Sequence, residues 1–112
     1  MEIVFRQETA VTVAEISGSV DGLTSTALLT ALGDEVKKGH IRLVADFAKV
    51  DYISSAGLRA LLGTVKEARG QGGDFRLAGV TPPVKKVLEL SGFTSILKLF
   101  PDAAAAVASF GA

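Results

Sequence analysis

Strand-like and helix-like patterns alternate along almost the whole chain, and that alternation limits the folds open to it. "EIVFRQ" (2–7) and "VTVAEIS" (11–17) alternate apolar with polar residues and are rich in Val and Ile, so they read as an antiparallel hairpin. "GSVDG" (18–22) reads as a loop. The segment 24–39 places Leu28, Ala31, Leu32 and Val36 on one helical face and stops at a glycine. "IRLVADF" (41–47) is a third strand, and Ala56 to Gly70 a second helix with Leu58, Leu61, Leu62 and Val65 as its apolar stripe. A fourth strand falls at Asp74–Ala78, and "TPPVKKVLELSG" opens with prolines suited to a first helical turn. "SILKLF" (95–100) reads as a fifth strand, and a last helix begins after Asp102, a good N-cap. The order is ββαβαβαβα: an α/β domain with a mostly parallel five-stranded sheet and an antiparallel strand at its N-terminal edge.

The third strand predicts how that sheet is covered. Ile41, Leu43, Ala45 and Phe47 point one way; Arg42, Val44 and Asp46 point the other. A parallel strand buried on both faces would not carry Arg42 and Asp46. Phe75 and Leu77 are opposed by Asp74 and Arg76 in the same manner. With right-handed crossovers that all step the same way, helices gather mainly on one face. Arg42, Asp46 and Arg76 are therefore expected to be open to solvent, and a doubly wound nucleotide fold is disfavoured.

The 112 residues are expected to form one domain, 1–112, and 48% of them are hydrophobic, enough for a core without metals or disulfides. With no cysteine there is no disulfide, thiolate nucleophile or Cys-ligated zinc. Lys plus Arg and Asp plus Glu number 12 each, which leaves no basic footprint for nucleic acid or an anionic membrane. "MEIVFRQETA" has no signal-peptide pattern, and the apolar run near residue 105 is far shorter than the about 20 residues a bilayer needs. A soluble, cytoplasmic domain is the expectation, with no nucleic-acid or membrane partner and no cofactor.

Few residues could carry chemistry. "GQGG" (70–73) runs from a helix into a strand, the reverse of a phosphate loop, and reads as a connecting turn. His40 is the single histidine, poor material for a metal site. As a base for a serine nucleophile it lacks a GxSxG elbow. Asp46 lies within its strand as a solvated side chain. Asp21 and Asp51 fall in loops after the second and third strands, and such loops gather on one edge of a parallel sheet. Ser54 and Ser55 fall on that edge too, just before a helix. One serine suffices as an N-cap, so two adjacent ones leave either a plain cap or a free hydroxyl.

Three patches resemble the STAS domain family, and within it the small bacterial anti-sigma-factor antagonists. "GSVDGLTSTAL" resembles the family's strand–loop–helix motif, with Gly18 and Asp21 in place. "VDYISSAGLRALL" resembles its phosphorylation motif of the form D-S-[ST]-G-L. "LAGVTPPVKKVLELSGFTSILKLF" resembles its third segment. With Gly57 on the motif's glycine, the phosphoacceptor falls on Ser55, with Ser54 as an alternative. Ser54 stands where many members have Asp, and Ala56 where they have Ser or Thr.

The resemblance implies a single STAS domain and a switch rather than an enzyme. It implies binding to an anti-sigma factor that is a serine kinase of the histidine-kinase-like ATPase fold, release of the sigma factor, and inactivation by phosphorylation. It further implies a metal-dependent serine phosphatase that resets the switch. The partner surface that the resemblance implies comprises Asp21, Gly22, Asp51, Ser54, Ser55, Ala56, Gly57 and Arg59. Two other readings are a non-phosphorylated STAS subunit with a structural role in a transporter or signalling assembly, and a small hydrolase using Ser55.

Overall fold

The computed structural model describes residues 1–111. Strand β1 (Glu2–Glu8) and strand β2 (Val11–Val20) form the hairpin, pairing antiparallel from Glu2 opposite Ser17 to Glu8 opposite Val11. Helix α1 (Ser25–Lys37) crosses to strand β3 (Arg42–Ile53), which lies parallel to β2. Helix α2 (Ser55–Gly70) leads to strand β4 (Asp74–Ala78). Helix α3 (Pro82–Leu90) and a single 3-10 turn at Phe93–Ser95 lead to the short strand β5 (Leu99–Phe100). Helix α4 (Ala103–Ala108) closes the chain, with the Asp102 carboxylate accepting from the Ala105 N–H at 2.8 Å.

The strands lie in chain order, β1-β2-β3-β4-β5, antiparallel once and parallel thereafter. Each crossover thus steps the same way, as expected for helices gathered on one face. α1, α2 and α3 cover that face. Under them Ile16, Leu43, Phe47, Phe75 and Leu77 from the sheet meet Leu28, Leu32, Leu61 and Leu88 from the helices, all fully buried. The turn into β4 is tight: a Cβ at Gly73 would lie 1.9 Å from the Ile41 carbonyl oxygen.

The other face has its own smaller cluster. α4 lies over Val11, Val13, Val44 and Ala78, with Ala106 at the centre and Phe100, Val107 and Phe110 around it. This corrects one expectation. Arg42 is exposed and Asp46 half-buried, but Arg76 is not open: its side chain is 12% exposed. It donates to Asp74 at 3.0 Å and to Ser109 Oγ at 2.7 Å, and its guanidinium lies 3.9 Å from the centre of the Phe110 ring. α4 is not a crossover between strands, so the rule that gathers α1–α3 on one face does not constrain it.

Element ends also differ. β2 runs to Val20 and absorbs most of the expected 18–22 loop; it does so through register shifts at Glu15/Ser17 and Gly18/Ser19, and Gly18 holds a φ of +96° that suits glycine. β3 continues to Ile53, so Asp51 belongs to a strand rather than to a loop. The expected strand 95–100 shrinks to Leu99–Phe100 because the 3-10 turn takes Ser95.

Candidate functional site

The C-terminal ends of β2 and β3 meet at residues 19–24 and 51–59. Ser54 is extended, with φ −92° and ψ 173°, and its hydroxyl accepts from the Gly57 N–H at 3.1 Å. That is the N-cap of α2. Ser55 is the first helical residue, is exposed, and takes no part in the cap. The paired serines thus divide the work: one closes the helix, and the other presents a hydroxyl to solvent.

Two contacts hold the start of α2 against the sheet. The Ser54 N–H donates to the Val20 carbonyl at 2.8 Å. Gly57 packs so closely on the strand ends that a Cβ there would lie 2.7 Å from Ile53 Cγ1 and 2.8 Å from Val20 Cγ1. No larger residue fits without movement.

Asp21 organises the loop before α1. Its Oδ1 accepts from the N–H groups of Leu23 at 2.9 Å and Thr24 at 3.0 Å. Thr24 Oγ1 accepts from the Asp21 N–H at 2.9 Å and donates to the Ser19 carbonyl at 3.0 Å. The backbone N–H groups of Thr24 and Leu23 favour the ionised carboxylate and hold its pKa below the usual value. Asp51 is exposed on β3, where its Oδ1 accepts from Ser19 Oγ at 3.2 Å. Ser19 therefore bridges the Asp51 strand and the Asp21 turn, and the two acids belong to one linked edge. Gly22 and Arg59 are exposed there, Ala56 is half-buried, and Gly57 is buried.

Two residues of this edge carry no sequence signal of the kind sought in motifs. Leu23 is 92% exposed in the Asp21 turn, and Tyr52 is 53% exposed at the end of β3. An apolar residue inside a polar turn was the available cue to Leu23.

Other candidates lie elsewhere. His40 Nδ1 is 2.9 Å from Glu35 Oε1 at the start of β3, and Ser55 follows its end. The length of a 12-residue strand separates imidazole from hydroxyl, so His40 cannot serve as base to Ser55. Hollows of about 370 and 660 Å³ flank β5 and involve neither Ser54 nor Ser55. Among the described residues no group of three or more His, Cys, Asp or Glu could hold a metal ion, and no helix is long and apolar enough to cross a membrane. Ser55, Asp51, Arg59 and Gly22 are exposed along this edge.

The family model described as "STAS domain" matches residues 2–106. A candidate anti-sigma factor antagonist of Bordetella bronchiseptica, BtrV, is 39% identical over 98 residues, covering 88% of this chain and 84% of that protein. The anti-sigma-F factor antagonist RsfB of Mycobacterium tuberculosis is 31% identical over 90 residues, covering 80% of this chain and 73% of its own. The crystal structure of an anti-sigma factor antagonist from Mycobacterium paratuberculosis superposes with a TM-score of 0.88 at 26% identity, covering 96% of this chain and 92% of that one.

Proposed function

Because the chain belongs to the STAS domain family, and relatives spanning most of its length carry the name of anti-sigma factor antagonists, we propose that it is such an antagonist, controlled by phosphorylation of Ser55. In its unmodified form it binds an anti-sigma factor that is a serine kinase of the histidine-kinase-like ATPase fold, and the sigma factor is released. Phosphorylation ends the binding, and a metal-dependent serine phosphatase restores it. The chain acts in the cytoplasm as a switch and catalyses nothing itself.

The observation that carries this reading is the exposed Ser55 hydroxyl, left free by Ser54 at the first turn of α2. The same geometry accounts for the departure from the family motif. Asp and Ser are comparably good N-caps, so Ser54 performs the capping that the usual Asp would perform. A phosphate adds about 1.5 to 2 negative charges and three acceptor oxygens. Beside Asp21 and Asp51, inside a contact that excludes water, it opposes binding by repulsion and desolvation.

Incubation with the cognate kinase and ATP should add one phosphate by intact mass. Ser55→Ala should abolish that addition and still bind the kinase, while Ser54→Ala should still be phosphorylated. The phosphorylated form should lose about a hundredfold in affinity, or about 3 kcal/mol, with little change in melting temperature. Label mapped to Ser54, or unchanged affinity after modification, would overturn the assignment.

A further inference from the structure

We infer that Arg59 is the counter-ion of the Ser55 phosphate, so that modification of Ser55 also withdraws Arg59 from the partner-facing surface. The inference rests on Ser55 as phosphoacceptor and names what its phosphate contacts. Ser55 and Arg59 both lie within α2, four residues apart, and both are exposed. Residues at i and i+4 are neighbours on a helix, with about 5–6 Å between their Cβ atoms. Helical side chains lean toward the N-terminus, so the Arg59 stem inclines toward the turn that carries Ser55. The favourable order is also met, with the anion N-terminal to the cation. Of the residues between them, Gly57 and Leu58 are buried inward and Ala56 is small and half-buried, so no bulky side chain stands in the way.

Among the described residues Arg59 has no competing ion pair. The ion pairs among the described residues engage Arg6, Lys38, His40, Arg69 and Arg76, and the first turn of α2 has no acidic residue. An arginine fork and a phosphate make a bidentate, charge-assisted pair, which a lysine cannot reproduce in shape. Before modification the guanidinium is free for an acidic or carbonyl-rich patch of the partner. Afterward it is turned onto its own helix.

Phosphoserine placed at position 55 during synthesis of the chain makes the test independent of any kinase. The second ionisation of the phosphate is followed by ³¹P NMR in three proteins: the natural chain, Arg59→Gln and Arg59→Lys. Asp21 and Asp51, the carboxylates of the same edge, are common to all three and cancel in the comparison. The ionisation should move up by a few tenths of a pH unit in Arg59→Gln, stand between in Arg59→Lys, and converge for all three in 1 M salt. The Arg59 Nε–H resonance should shift on phosphorylation of the natural chain. Identical titrations in the three proteins, or an unmoved Nε–H, would overturn the inference and leave the proposed function standing. Failure of a kinase to modify Ser55 would do the reverse.

Discussion

The two faces of the sheet are covered by different means. Under α1–α3 the cover is continuous and made of large side chains: Phe47 and Phe75 lie at 0% exposure among leucines. Under α4 the cover is a six-residue helix on Val11, Val13, Val44 and Ala78, and part of its hold is polar. Asp74 is pinned by Arg69 at 2.7 Å and by Arg76 at 3.0 Å, and Arg76 reaches on to Ser109 and Phe110. The first face is held by area removed from water. The second is held by a small apolar patch and one chain of directed contacts, so its stability should depend on particular residues and on pH.

The largest test of this contrast is truncation on each side. Phe47→Ala should cost about 3–5 kcal/mol, the range for removing a buried aromatic side chain. Val44→Ala, beneath α4, should cost about 2 kcal/mol, from two buried carbon groups at ~0.8 kcal/mol each plus a small cavity. Urea midpoints measure both. Equal losses would mean that the faces are held alike.

A smaller effect sharpens the polar part. Arg76→Gln removes the tie from Asp74 to Ser109 and the cation over Phe110, while Arg69 still bonds Asp74. The expected loss is about 1.5–2 kcal/mol, the lower part of the range for a hydrogen bond to a charged group. Amide exchange should rise in Ala103–Ala108 and hardly in α2. Exchange that rises equally in both would show that α4 and α2 open as one unit.

The smallest effect is in acid. Burial raises the Asp74 pKa, but the bonds from Arg76 and Arg69 outweigh it, so the folded value lies below the ordinary one. A carboxylate depressed on folding contributes stability above its unfolded pKa of about 3.9 and loses it as pH falls through the folded value. The natural chain should therefore lose urea resistance below about pH 4 more steeply than Asp74→Asn does. Parallel curves would remove Asp74 from the account.

The sequence read well where one pattern governs one surface. The inward alternation of Leu43, Ala45 and Phe47 correctly indicated the thick face. The hydrophobic stripe of α2 was nearly as legible: Leu58, Leu61 and Val65 are buried as expected, and Leu62, expected with them, is half-buried at the edge of the core. The other face was legible only in part. Arg76 reads as a solvent residue in a period-two pattern, and nothing local reports that Ser109, 33 residues later at the end of α4, will meet it. Asp51 was misplaced for a related reason. The register shifts in β2 let the β2–β3 pair continue past the point where simple alternation fails. At the candidate site the motif located the serines, but only the cap geometry divides them into Ser54 and Ser55. The turn built by Asp21 joins that edge through contacts between residues from Ser19 to Thr24, too short a stretch for periodicity to reveal.

The close seat of Gly57 against Val20 and Ile53 has a consequence for protein engineering. The backbone carrying Ser55 and Arg59 is clamped from beneath by strand ends, so its position does not depend on what the exposed side chains are. Positions 55 and 59 can then be exchanged without redesigning the scaffold, and a library varied there would sample chemistry on a constant template. Varying Gly57 would do the opposite. It would move the template itself, and every affinity measured on it would mix recognition with displacement.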